Sequence, residues 1–310
     1  MASSLTKNAS TKSKSFSTRT PASILRELHD SSEGFGFYAA SPRLIRHVEY
    51  FIGGQDGNIL VTKGGPQAKE FIICGVFEIS RNDFNFTPDA NFNPSNVFHG
   101  HFSDIKLSCR LTAGRNDMFR FSSEDFPDVL DNIAHFEGLI PRERDYEKLS
   151  AVHVSLGQRS IRLIHGLFEL NITYQAKNQD KYDTASDEDD DCSTNSLSSD
   201  FDIATWPVAD RCKGHLQDLR STHNVCPLPA YDTDHSLIPP LEYESKLKGA
   251  LVEVHMAFFH HRVKNAKCDV FNAILRQLTV LSPPAAMPIN PFKRHHLNTG
   301  PLNARNKKAK

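Results

Sequence analysis

The stretch Gly249–His261, GALVEVHMAFFHH, constrains this chain more than any other. Val252, Val254, Met256 and Phe258 fall on one face of an extended strand, and Leu251, Glu253, His255, Ala257 and Phe259 on the other. Side chains alternate along a strand with a period of two, so apolar residues on both sides describe a long strand with both faces partly covered. A polar turn over Arg262–Asp269 follows, carrying Arg262, Lys264 and Lys267. Beyond it two patterns coexist. Phe271, Ile274, Leu275 and Leu278 fit a helix, whereas Ile274, Leu278 and Val280 with their neighbours fit a second strand.

Upstream, strand patterns dominate. Ser23 is placed to cap a short helix carrying Ile24, Leu25 and Leu28. Asn58–Lys63 and Phe71–Ile79 are short apolar runs punctuated by glycine and proline, and Asn82–Asn96 reads as a loop with aromatic anchors. Ile105, Leu107, Cys109 and Leu111 alternate with polar residues as in a half-buried strand, with Met118–Phe121 as its expected hairpin partner across Ala113–Asn116. A helix is expected over Ser123–Glu137, with Pro127 in its first turn. Strands are expected again at Ala151–Leu156 and Ser160–Tyr174, with a bend at Gly166. Residues 23–176 therefore read as a β-rich domain with one or two helices, mainly β or α+β in class.

The polar residues are concentrated outside these patterns. Residues 1–22 form a basic tail and 177–202 an acidic insert around Asp187–Asp191, both too poor in apolar residues to build a core and expected to be disordered. The insert reads as a solvated linker, or, through Ser186 and Ser193, as a strip that phosphorylation tunes to compete with an anionic ligand. Residues 203–284 hold the C-terminal block, expected to pack on the first domain, and 285–310 a basic tail expected to be disordered. The formal net charge of -1 excludes a protein that is basic throughout and coats nucleic acid. No apolar run reaches the ~20 residues of a membrane span, and the six cysteines include no Cys-x-x-Cys pair, as expected of reduced intracellular thiols. A nuclear or cytoplasmic address is expected. The acid-free start, with Lys7, Lys12, Lys14 and Arg19, also has the composition of a mitochondrial transit segment, although Leu5 and Phe16 alone supply no apolar stripe.

The C-terminal block carries a resemblance. Gly249 leads into an alternating strand that ends in Phe259, His260 and His261, and a polar turn and a second apolar element then run into Pro283-Pro284 and a polar tail. This is similar to the last hairpin of phage-type single-stranded-DNA-binding proteins of the OB fold. It also resembles a segment of proteins that abound in mushroom-forming fungi and their mobile elements. The sequence departs from the phage pattern in two places. Phe259 or His260 fills a tyrosine-like position, and an acidic C-terminal tip is replaced by a basic tail. The resemblance implies an OB-like or other small β-barrel core and sequence-tolerant binding of a single strand, with exposed aromatics stacking on bases and cations neutralising phosphates. It points to Phe259, His260, His261, Arg262 and Lys264 on the hairpin, and Lys293 and Arg294 beyond it.

Two constellations suggest metal. Cys212, His215, His223 and Cys226 are spaced Cys-x-x-His-x7-His-x-x-Cys, four N and S ligands of the kind a tetrahedral zinc ion takes. His99 and His101, with Asp104 close behind, would share one side of a strand as in metal-dependent hydrolases. No phosphate-binding Gly-rich loop and no Gly-x-Ser-x-Gly elbow is present. Three functions fit these residues: a non-enzymatic binder of single-stranded nucleic acid, a protein-interaction or scaffold module working through its tails, and a metal-dependent hydrolase.

Overall fold

The computed structural model describes residues 19–30, 36–54, 57–65, 68–96, 99–171 and 201–286. The sequence expectations for the N-terminal tail, the acidic insert and the C-terminal tail, Lys293 and Arg294 included, concern residues outside these ranges except at 19–22, 201–202 and 285–286, and of these Pro21 and Ala22 lie in a helix rather than in a disordered tail.

The first described element is helix α1 (Pro21–His29), capped by Thr20 rather than Ser23, whose own amide N–H donates to the Thr20 Oγ1 at 3.2 Å. Short strand β1 (Phe37–Tyr38) leads to the hairpin β2 (Val48–Gly54) and β3 (Gly57–Thr62), and then to β4 (Ile73–Ile79). After a long connection come β5 (Lys106–Thr112), helices α2 (Arg120–Glu124) and α3 (Phe126–Glu137), and strands β6 (Glu147–Leu149), β7 (Val152–Ser155), β8 (Gln158–Gly166) and β9 (Phe168–Leu170). Past the insert, β10 (His223–Val225) pairs with β9, β11 (Ala230–Tyr231) with β13, and the long hairpin β12 (Leu251–Val263) and β13 (Cys268–Ser282) ends the described chain.

Five of these strands close on themselves. β4 pairs with β5, β5 with β8, β8 with β13, β13 with β12, and β12 returns to β4 through Leu251–Met256 against Ile73–Glu78. Only the β8–β13 pairing in this circuit is parallel. Numbered by chain order, the circuit runs 1-2-3-5-4 and back to 1, the five-stranded barrel of the OB fold. Both halves of the chain thus form one sheet. The block resolved only as helix or strand in sequence is the fifth barrel strand, because its neighbour β12 supplies a full ladder of partners from Leu251 to Val263.

Inward-facing Leu107, Cys109, Leu111, Ile161, Leu163, Val252, Val254, Met256 and Phe258 fill the barrel. Helix α3 covers it from one side. Phe126 packs 6.3 Å from Phe77, and Phe136 lies 5.9 Å from Phe71 and 5.6 Å from Phe258 between ring centroids. The buried Glu137 at its end accepts hydrogen bonds from the Ala151 amide and the Ser150 hydroxyl, both at 2.8 Å, and pairs with Lys148 at 2.8 Å. On the outer face of β4, Ile24 and Leu28 of α1 pack with Tyr38, Cys74, Val76, Phe119 and Leu251.

A further expectation fails locally. Met118–Phe121 is not a strand. The Asn116 side chain accepts from the Met118 amide at 3.0 Å and starts a helical turn, which runs on into α2. Ser122 of α2 then donates to Val76 O at 2.6 Å and accepts from the Gly114 amide at 3.1 Å, so the chain folds back as a helix across β4. No helix among the described residues is long and apolar enough to cross a membrane.

Candidate nucleic-acid interface

The outer face of β5 and β8, the second and third barrel strands, sets two like charges side by side. Leu107, Cys109 and Leu111 point inward, which turns Lys106, Ser108, Arg110 and Thr112 outward. The register of the pair sets Arg110 directly opposite Arg162. Like charges in this position repel. Arg110 has a partial counter-ion in Asp83 at 3.7 Å, and Arg162 has no ion pair among the described residues. Burial, and then the charge of Arg162, lower the proton affinity of Arg110 from the usual arginine value, although a guanidinium stays charged at neutral pH.

A cleft of 320 Å³ continues this face, lined by Arg162, Lys106, Asp104, His99 and Phe92. Its far wall is the connection between β4 and β5. There the Asn93 amide donates to His99 Nδ1 at 2.9 Å, and the His99 ring lies 5.6 Å from that of Phe92. Residues 201–212 brace this connection from behind. Trp206 Nε1 donates to Pro88 O, Arg211 Nε to Phe92 O and Arg211 Nη2 to Asp89 Oδ2, each at 2.7 Å. At the other end of the strands, Lys264 and Lys267 stand exposed in the turn between β12 and β13.

The hairpin residues expected to bind are placed differently. Phe259 is 9% exposed and packs beneath the Arg276 guanidinium at 5.7 Å from its ring centre. His260 is 1% exposed, held by Asp269 Oδ1 at 2.9 Å and the Asn58 side-chain amide at 3.0 Å. Neither ring offers a face for a base to stack on, because Arg276 lies over Phe259 and the rings of Tyr50 and Phe271 flank His260. His261 is half-buried beside Gly57. Arg262 forms a bidentate pair with Asp269 at 2.7 and 2.9 Å, meets Glu143 at 2.8 Å and lies over the Tyr146 ring, so its charge is engaged within the fold. Lys264 alone of the hairpin set is an exposed cation with no ion pair among the described residues.

The four expected zinc ligands have separate neighbourhoods. Cys212 Sγ is fully buried against Asp89 Oδ2 and Phe92 O, 3.8 Å from each, and His215 sits on the rings of Phe92 and Phe102. His223 Nδ1 lies 2.8 Å from the Thr222 hydroxyl, and Cys226 lies beside Glu169, its thiol pushed up to about 12 by burial and that charge. Among the described residues no three His, Cys, Asp or Glu side chains gather as metal ligands. His99 and His101 are separated by Gly100 at φ 67° and lie in a loop, so the strand alternation expected to align them does not apply. The structure instead brings His99 and His215 onto the same Phe92 ring, and the charge of Asp104 acts on His223.

No family model and no curated protein matches the sequence. Among solved structures, the chain is similar to gp2.5, a single-stranded DNA binding protein encoded by bacteriophage T7, at 8% identity and a TM-score of 0.34, over 71% of this chain and 96% of that one. The single-stranded DNA-binding protein of bacteriophage Enc34 in complex with ssDNA aligns at 9% identity and a TM-score of 0.35, over 78% of this chain and 98% of its own. The same Enc34 protein in another structure gives 10% identity and a TM-score of 0.33, over 80% and 99%.

Proposed function

We propose that the chain is a non-enzymatic nucleic-acid-binding protein that takes a single strand across the outer face of β5 and β8. The observation that carries this reading is the direct opposition of Arg110 and Arg162. A fold that holds two guanidinium groups side by side loses stability unless an anion lies between them, and a phosphodiester chain supplies such anions in series. Lys106 and His99 extend the row toward the β4–β5 connection, and Lys264 and Lys267 stand at the other end. OB barrels bind oligonucleotides on this face and between these two loops. The single-stranded ligand is the one named for the phage proteins above. Among the described residues the one exposed Phe, Tyr or Trp side chain is Phe51, on the β2–β3 hairpin, so phosphate contacts carry the affinity in this reading. The kinship with fungal mobile-element proteins, a nuclear address and a contribution from Lys293 and Arg294 belong to the same proposal.

The test is fluorescence anisotropy with a labelled single-stranded oligonucleotide at low and high salt, with and without residues 287–310. Salt-sensitive binding that survives removal of the tail supports a site on the folded domain. Binding lost with the tail would reduce the interaction to counterion release by a basic extension. A second reading, a protein-interaction module, is favoured by Phe51 and Ile52, which stand 48% and 76% exposed next to the β2–β3 turn. Absence of any oligonucleotide binding would leave that reading in its place.

A further inference from the structure

We propose that Arg211 and Trp206 are positioning residues for the phosphate-binding face, an inference that rests on the function proposed above. Neither lines the cleft formed by His99, Lys106 and Arg162. Both instead hold the loop that builds its wall.

Arg211 has two separate holds. Its Nε donates to Phe92 O and its Nη2 to Asp89 Oδ2, both at 2.7 Å, and Asp89 in turn accepts from the Asn91 amide at 3.1 Å. The planar guanidinium thus fixes two points of the loop, three residues apart, in one rigid fork. The next residue, Asn93, donates its amide to His99 Nδ1, and the Phe92 ring packs on the His99 ring. A displacement at Phe92 O therefore moves His99 directly. Trp206, 3% exposed, adds a third hold at Pro88 O. The Asp89 side chain is 8% exposed and its partner Arg211 46%, so removing the arginine leaves a mostly buried carboxylate without its cation. The loop would relax to hydrate that carboxylate, and His99 would leave the face.

A salt series separates positioning from contact. A residue that touches phosphate lowers the slope of log affinity against log salt by about 0.7 on a single strand when it is removed. A residue that only positions the loop weakens binding and leaves the slope alone. The experiment titrates a labelled single-stranded oligonucleotide with the full chain and with R211A, R211K and W206F across a salt range, with melting curves to establish folding. The expected result is roughly tenfold weaker binding for R211A at unchanged slope, because the loop shifts while the lysine and arginine side chains that meet phosphate stay in place. R211K should recover part of that loss, because an ammonium can pair with Asp89 but cannot also reach Phe92 O. W206F, which keeps the ring and loses the N–H, should weaken binding several-fold, again at unchanged slope. A slope reduced by about 0.7 in R211A would make Arg211 a phosphate contact and overturn the inference. Unchanged affinity in folded R211K and W206F would overturn it as well, whether or not R211A folds. Failure of the unaltered chain to bind would remove the proposed function and this inference together, whereas a binding chain indifferent to these substitutions would remove this inference alone.

Discussion

Replacing Arg162 by glutamine should make the free protein more stable, although it removes a long side chain. Arg162 lies directly across from Arg110, and the described residues give it no ion pair. Like charges opposite each other on neighbouring strands cost roughly 0.2–1 kcal/mol relative to a neutral pair. Glutamine keeps most of the stem that covers the sheet and deletes only the charge. For a chain with this much ordered structure, ~1 kcal/mol moves the melting temperature by about 2–4 °C, so the expected gain lies between about 0.4 and 4 °C at low ionic strength. Screening supplies the control. At 1 M salt the Debye length falls to about 3 Å, and the gain should shrink toward zero. Arg162→Glu should stabilise further, by turning repulsion into an ion pair with Arg110. The assay is thermal unfolding by circular dichroism at low and high salt, without nucleic acid. A lower melting temperature for Arg162→Gln at low salt, or a gain that persists at 1 M salt, would refute the claim that this face carries net like-charge repulsion.

Further outcomes follow from other parts of the fold. Glu137→Ala removes the acceptor for the Ala151 amide, the Ser150 hydroxyl and Lys148, and should cost roughly 2–4 kcal/mol in denaturant unfolding. Gly57 has φ +105°, and a Cβ there would lie 2.5 Å from the His261 ring, so Gly57→Ala should destabilise by about 1–3 kcal/mol in the same assay. The hydrogen bond from Arg262 holds the Asp269 carboxyl below the usual carboxylate value. Its contribution to stability should be complete above the unfolded value near ~4 and be lost as pH falls through the folded one; Asp269→Asn should flatten that acid limb in pH-dependent melts. Burial and Glu169 push the Cys226 thiol up to about 12, so it should alkylate far more slowly than free cysteine at pH 8, and a rate equal to the free thiol would contradict its placement.

Much of the fold could be read from periodicity. The alternation of Val252, Val254, Met256 and Phe258 against Leu251, Glu253, His255 and Ala257 is a strand pattern, and β12 follows it over its full length. The Lys106–Thr112 strand was legible for the same reason, and the apolar face of α3 showed in Val129, Leu130, Ile133 and Phe136. The circuit of the barrel was not legible. It depends on which strands pair, and no local pattern records that β8 runs parallel to β13. The candidate interface was hidden for the same reason. Arg110 and Arg162 are each an ordinary outward residue on a half-buried strand, and they become a pair only through the register of β5 with β8. The burial of the hairpin candidates Phe259 and His260 was not legible either, because Arg276, Tyr50 and Phe271, which lie on them, come from other strands. Cysteine and histidine spacing is likewise silent about neighbours in space. Cys212 turns into the β4–β5 connection and His223 sits in a strand paired with β9, so separation along the chain says nothing of their distance in space.

The measurement that bears most directly on the central claim is oligonucleotide binding by the double variant Arg110→Gln, Arg162→Gln across a salt series. The variant should fold at least as stably as the unaltered chain, bind a labelled single strand more weakly, and show a salt slope smaller by about 1.4, two phosphate contacts at about 0.7 each. Unchanged affinity and slope in the folded double variant would place any nucleic-acid site elsewhere and contradict the account.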